Sequence, residues 1–278
     1  MLLSQFIRES TAALEALYPP QEAKSLVARL AEELLSVPSY AHIIDPGQDV
    51  SQERIPALRA AMDRLLAGEP LQYVLGWQEF CGRRFRVGPA VLIPRPETEQ
   101  LVAEAEKYVR AGHRVLDLCT GSGCIAWTLA LDAPGSIVTG VDISKEALEV
   151  AKGQFSEGVA FIEADVLQVP ESFPEAPFDC IVANPPYIRE SEKAFMHRNV
   201  LEHEPGLALF VPDEDPLRFY RAIAEWARRF LAPSGICIVE INEELGAETA
   251  ALFASLGSAS VIRDFFSKER FVRVEKRQ

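Results

Sequence analysis

The sequence has only four histidines, His42, His113, His197 and His203, and none sits in an H-E-x-x-H spacing, so no metal centre is expected. Its five cysteines, Cys81, Cys119, Cys124, Cys180 and Cys237, are odd in number and scattered, without a C-x-x-C pair. They read as reduced core residues in a reducing compartment, not as a disulfide framework. No apolar run is long enough to span a membrane. The opening residues, MLLSQFIRES, carry no basic stretch ahead of their apolar residues, which argues against a signal or transit peptide and for the cytoplasm. Positive charge is also scarce: 28 Lys and Arg against 41 Asp and Glu leave a formal charge of −13. Stable, sequence-independent nucleic-acid binding draws its affinity from Lys and Arg, and is therefore disfavoured.

What is present describes an ordinary globular chain. Its 278 residues, 48% hydrophobic and 25% charged, suffice for one large domain and a small one. Leu3, Phe6, Ile7 and Leu14 mark an apolar stripe at helical spacing over 2–17, and Val27, Leu30, Leu34 and Leu35 another over 20–36, where Pro20 suits a first turn. A third helix is expected from about Gln52 to Leu66, capped by Ser51 unless Pro56 delays its start. Residues 1–70 thus read as a helical domain. From Leu71 to Pro94 the alternating, aromatic texture, with Cys81-Gly82-Arg83 as a turn, predicts a β-ribbon linker.

Beyond Pro96 helices and strands alternate. Helices are expected at 97–111, 123–132, 145–155, 215–231 and 244–256, and strands at 114–118, 137–142, 159–163, 178–183, 235–241, 259–264 and 270–275. This pattern specifies an α/β domain over 95–278, with a parallel sheet covered by helices on both faces. Gly121 and Gly123 lie between its first strand and the helix after it. Glycine there permits positive φ and a close ligand approach at a helix start. Gly121-x-Gly123-x-x-Ala126, with Asp142 ending the next strand, even satisfies a dinucleotide pattern. Asp117 speaks against that reading, because a carboxylate before the turn would attract a cationic amino group and repel a pyrophosphate.

The strand at 178–183 runs into Asn184-Pro185-Pro186-Tyr187. Ligands of such a sheet collect beyond the carboxyl ends of its strands. The prolines donate no N–H and hold the residues before them extended, so the Asn184 side-chain oxygen and the Pro185 carbonyl can point outward as two acceptors. Tyr187 offers an aromatic face for a planar group. Two acceptors suit an NH2 group whose lone pair is delocalised. Holding both hydrogens turns that lone pair toward an electrophile and stabilises the positive charge that develops.

Asp117-x-x-x-Gly121-x-Gly123 is similar to the first motif of class I S-adenosyl-L-methionine-dependent methyltransferases, and Asn184-Pro185-Pro186-Tyr187 to the motif of those acting on adenine N6 or glutamine N5. Gly68-Glu69-Pro70-Leu71-Gln72-Tyr73, Ile93-Pro94-Arg95-Pro96-Glu97-Thr98-Glu99, Glu204-Pro205 with Ala208-Leu209, and Glu240-Ile241 resemble the HemK/PrmC family over nearly the whole length. The resemblance implies a Rossmann-like domain with a mostly parallel seven-stranded sheet and an antiparallel final hairpin. It also implies a helical N-terminal domain that helps recognise a protein substrate. S-adenosyl-L-methionine would be the methyl donor and S-adenosyl-L-homocysteine the product. Asp117, Cys119, Thr120, Gly121, Ser122 and Gly123 would surround its methionine portion. Asp142 and Ile143 would meet the ribose, and Asp165 and Val166 the adenine. Asn184 would also border the cofactor, and with Pro185, Pro186 and Tyr187 would hold the reacting amide.

Cys119 departs from the first glycine usual in the wider methyltransferase family, and Val211-Pro212-Asp213 from the glycines frequent in the HemK/PrmC family. The implied reaction methylates the glutamine of the Gly-Gly-Gln loop in class I peptide chain release factors. A monomer without membrane association is expected. The alternatives are an adenine-N6 methyltransferase, an NAD-dependent oxidoreductase and a non-catalytic binding module. Arg95, Glu97 and Glu204 read equally as residues that fix a helix start or a loop.

Overall fold

The computed structural model describes residues 1–277. By its contacts the chain divides into two compact units, one formed by Met1–Trp77 with His197–His203, the other by Gln78–Met196 with the chain from Glu204 onward.

The first unit is helical, with α1 (Leu3–Leu14), α2 (Pro20–Leu35), α3 (Ala41–Ile44), α4 (Ile55–Leu66) and α5 (Leu71–Leu75). Phe6, Val27, Leu30, Leu58, Leu65 and Leu71 from these stripes share one buried cluster. Ser51 does not cap α4. Pro56 takes the second helical position, where its missing N–H costs nothing, and the Arg54 N–H closes a turn onto the Ser51 carbonyl at 3.0 Å. Residues 71–75 are helical and do not open the β-ribbon. Leu71 is drawn into the helical core with Val74 and Leu75 packed against it, and Gly76, at φ 81°, ends the helix in the left-handed conformation. The unit accordingly runs to Trp77, past the boundary expected at 70.

The hairpin of β1 (Trp77–Phe80) and β2 (Arg83–Arg86) turns through Cys81 and Gly82, at φ 47° and 70°, as a two-residue type I′ turn requires. Next come α6 (Pro96–Ala105), β3 (Arg114–Leu118), α7 (Cys124–Asp132), β4 (Ile137–Asp142), α8 (Lys145–Lys152), β5 (Val159–Glu163) and β6 (Phe178–Ala183). They are followed by β7 (Ile188–Arg189), α9 (Arg198–His203, in the first unit), β8 (Phe210–Val211), α10 (Arg218–Phe230), β9 (Leu231–Glu240), α11 (Gly246–Leu252), β10 (Gly257–Arg263) and β11 (Glu269–Lys276). Among the described residues no helix is long and apolar enough to cross a membrane.

Seven strands form one sheet in the order β10-β11-β9-β6-β3-β4-β5. Strands β3, β4, β5, β6 and β9 run parallel, while β11 is antiparallel to both β9 and β10. This is the mixed sheet with a final antiparallel hairpin that the family resemblance implied. One face buries the α10 stripe of Tyr220, Ile223, Trp226 and Phe230. The other buries Phe80, Phe85, Leu101 and Trp127.

Because β4 and β6 flank β3 on opposite sides, the chain order reverses at β3, and a crevice opens past its carboxyl end. Register sets Leu118 level with Val141 and with Ala183, so Cys119, Asp142 and Asn184 emerge together at one sheet edge. Beyond them β7 and β8 pair in parallel, Ile188 with Phe210 and Arg189 with Val211, a contact too short to show as periodicity. Val211 thus serves as a strand residue, and the Asp213 carboxylate accepts the Ser191 N–H at 3.2 Å. These roles suit a loop without glycine.

Candidate active site

A cavity of about 390 Å³ lies at this edge, entirely within the second unit, and is of the size usual for a small-ligand site. Cys119, Thr120, Gly121 and Ser122 after β3 form one wall. Asp142 and Ile143 at the end of β4, and Asp165 and Val166 after β5, form the next. Asn184 and Pro186 after β6 close the far side, facing Pro94, Arg95 and Thr98 at the start of α6.

The turn after β3 is held from beneath. Asp117 is fully buried and is not among the residues that line the cavity. Its Oδ2 accepts the Thr120 hydroxyl at 2.6 Å and the Ala126 N–H at 3.2 Å. The other oxygen, Oδ1, has no hydrogen-bond partner among the described residues. Burial pushes the Asp117 carboxyl up to about 7. Gly123 is likewise behind the wall. At φ 77° it would strain any side chain, and an added Cβ would come within 3.0 Å of Ala151 and 3.1 Å of Trp127, so its role is to let α7 close on α8. Cys119 sits at φ 60°, a region that costs a residue with a Cβ about 1–2 kcal/mol, which explains why glycine was the expected occupant.

The carboxylates at the cavity are oriented by N–H groups. Asp142 accepts the Gly121 N–H on Oδ2 at 2.8 Å and the Ser144 N–H on Oδ1 at 3.0 Å. Burial raises its pKa, opposed by these bonds. Asp165 accepts the Leu167 N–H at 2.9 Å and the Gln168 side-chain amide at 3.0 Å.

Asn184 is part of a chain of hydrogen bonds. Its Nδ2 donates to Thr98 Oγ1 at 3.1 Å, the Thr98 hydroxyl donates to Glu240 Oε2 at 2.8 Å, and Tyr187 O–H donates to Glu240 Oε1 at 3.1 Å. Tyr187 is thus anchored through its hydroxyl and is not among the residues that line the cavity. The ring packs against the sheet core and the hydroxyl is tied to Glu240. Pro185, between Asn184 and Pro186, is buried. Glu240 is fully buried at the end of β9, and burial pushes its carboxyl up to about 7 against the pull of Thr98, Tyr187 and Arg270.

Glu204 fastens the opposite wall. Its carboxylate, 1% exposed, accepts the Ile93 N–H at 3.0 Å and pairs with the Arg95 guanidinium at 2.6 Å. Glu97 does not line the cavity and sits in the first turn of α6, where a carboxylate favours the helix. Glu204→Ala would leave the Ile93 N–H unpaired in the interior. Arg95 is a third exposed and can be solvated, so the expected loss is about 1–3 kcal/mol of unfolding free energy, checked by urea denaturation.

Residues 110–265 match the family described as a methyltransferase domain, and residues 5–76 that described as the PrmC N-terminal domain. The chain is 42% identical over 281 residues to the release factor glutamine methyltransferase of Bacteroides thetaiotaomicron, covering 99% of each chain. It belongs to the release factor glutamine methyltransferase family. A second relative of that description, from Flavobacterium psychrophilum, is 35% identical over 287 residues and covers all of both chains. A solved methyltransferase from Pyrococcus furiosus, 16% identical, aligns with 82% of this chain and 100% of its own at a TM-score of 0.53, which speaks to the fold alone.

Membership of the release factor glutamine methyltransferase family implies S-adenosyl-L-methionine, and the cavity suits it chemically. Two fixed carboxylates, Asp142 and Asp165, can accept from hydroxyl and amino groups, and Ile143 and Val166 supply apolar surface. In the sequence Thr98 and Glu240 stand out only as parts of longer motifs. Their only individual signal is a polar residue in a helix start and an acid closing an apolar strand, 142 positions apart.

Proposed function

We propose that this chain transfers a methyl group from S-adenosyl-L-methionine to the side-chain amide nitrogen of the glutamine in the Gly-Gly-Gln loop of class I peptide chain release factors. The observation that carries the reading is Asn184 at the cavity wall with its NH2 committed to Thr98. Its remaining polar atom, Oδ1, is an acceptor for an incoming N–H. The backbone carbonyl of the neighbouring Pro185 would be the second acceptor, so that both hydrogens of the substrate amide are held and its lone pair faces the methyl donor.

When bound, S-adenosyl-L-methionine supplies an electrophilic methyl group on a sulfonium sulfur. Asp142 would accept from its ribose hydroxyls and Asp165 from its adenine amino group, with Ile143 and Val166 supplying apolar surface for the ring. Cys119, Thr120, Gly121 and Ser122 would border the methionine portion, with Asp117 acting indirectly by holding Thr120. No side chain needs to remove a proton early, because the amide nitrogen becomes acidic only as it is alkylated. Aligning two bound reactants can contribute on the order of 7–11 kcal/mol, so positioning supplies most of the acceleration.

The formal charge of −13 favours a protein over a nucleic-acid substrate. The test offers the purified chain an unmethylated class I release factor and, separately, adenine-containing DNA and RNA, each with methyl-labelled S-adenosyl-L-methionine. Label on the release factor alone is expected. Label on adenine alone would replace this reading with an adenine-N6 methyltransferase.

A further inference from the structure

The Asn184 side chain could meet Thr98 through either end of its amide, and only one of the two leaves an acceptor for the substrate. The direction of the hydrogen bonds decides between them. An ionised carboxylate can only accept, so both groups that touch Glu240, the Tyr187 and Thr98 hydroxyls, must donate to it. Threonine has a single hydroxyl proton. Once that proton is given to Glu240, the Thr98 oxygen has only lone pairs left, and the part of Asn184 that meets it must be the NH2. The flipped amide would set oxygen against oxygen.

We infer that Glu240, acting through Thr98, is the positioning residue that fixes the Asn184 amide with its oxygen free for the substrate. The charged and titratable groups that face Glu240 are Arg270 on β11, which favours its ionised form, Glu97 on α6, which opposes it, and the hydroxyls of Tyr187 and Tyr220. Protonated Glu240 could itself donate to Thr98. The Thr98 hydroxyl would then be free to donate to Asn184 Oδ1, and the amide would no longer be held one way round. Glu240 thus makes the clamp dependent on pH, with the orienting form lost as pH falls through about 7. The consequence for rate rests on the functional reading above, whereas the amide orientation does not.

The experiment has two arms. In proton–nitrogen correlation spectra of the full chain, the Asn184 side-chain NH2 signals, assigned by their loss in Asn184→Ala, should titrate with a midpoint near 7 in the wild type and stay constant in Glu240→Gln. In methylation assays on unmethylated release factor, Thr98→Val should lower kcat roughly 10-fold or more with cofactor affinity by calorimetry unchanged, and Thr98→Ser should recover most of that loss. Glu240→Gln should show a low rate without the acid limb of the wild-type pH profile.

A Thr98→Val variant with wild-type kcat, or Asn184 signals that titrate alike in wild type and Glu240→Gln, would overturn the inference. Wild-type chain that transfers no methyl group to release factor would overturn the functional reading while the spectra still decide the orientation.

Discussion

Asn184→Ala should lower kcat for release factor methylation by about 10²–10³, the loss typical of removing one preorganised group that stabilises developing charge, while Tm stays close to the wild-type value. The side chain stands just past β6 at the cavity wall, so its removal empties no part of the core. Thr98 keeps its bond to Glu240 and loses only a donor to a lone pair. In the proposed clamp the substrate amide would lose one of its two acceptors, its lone pair would no longer be directed, and the positive charge on nitrogen would be less well opposed. Cofactor affinity, measured by calorimetry, should change little. Near-normal turnover in this variant would falsify the amide clamp.

Asp142→Ala should act on the other half of the site and weaken cofactor binding by roughly 10–100-fold, the equivalent of about 1.5–3 kcal/mol for hydrogen bonds to a charged group. Two effects combine in it: in the proposed binding mode the ribose hydroxyls would lose a charged acceptor, and the Gly121 and Ser144 N–H groups lose the carboxylate that sets the turn. Because burial raises the Asp142 pKa, its acceptor form is lost at a higher pH than in an ordinary aspartate, so cofactor affinity should begin to fall early on acidification. At saturating cofactor the turnover of Asp142→Ala should approach the wild-type value. A defect confined to turnover at saturation would count against its role at the ribose.

Asp117 and Glu240 add a linked effect on stability. Each has a folded-state pKa raised by burial to about 7, so the folded chain holds protons that the unfolded chain has released. Their contribution is fully present below the ordinary carboxyl range and is lost as pH rises to about 7. The site is therefore built from groups that lower stability at neutral pH, as is common where pKa values are shifted for function.

The sheet was legible because β3, β4 and β6 are apolar runs bounded by turn residues, and because Asp142, Asp165 and Asn184 stand at or just beyond strand ends, where a sheet of this order places its ligands. The direction in which a side chain faces was not. Asp117 lies one residue inside β3 and turns into the protein, and Tyr187 lies two residues after Pro185 and turns back to Glu240. Helix α5 was hidden by its length, since five residues carry too little periodicity to separate a helix from a ribbon. Thr98 and Glu240 were hidden by distance along the chain. Only the packing of α6 against β9 brings them within 2.8 Å, and no local pattern announces that contact.

The central claim is best tested by tandem mass spectrometry of an unmethylated class I release factor after incubation with the wild-type chain and S-adenosyl-L-methionine, with fragment ions locating each added methyl group. One methyl group on the side-chain amide of the Gly-Gly-Gln glutamine, and none elsewhere, is the predicted result. An unmodified glutamine, or a methyl group on another residue of the factor, would contradict the account.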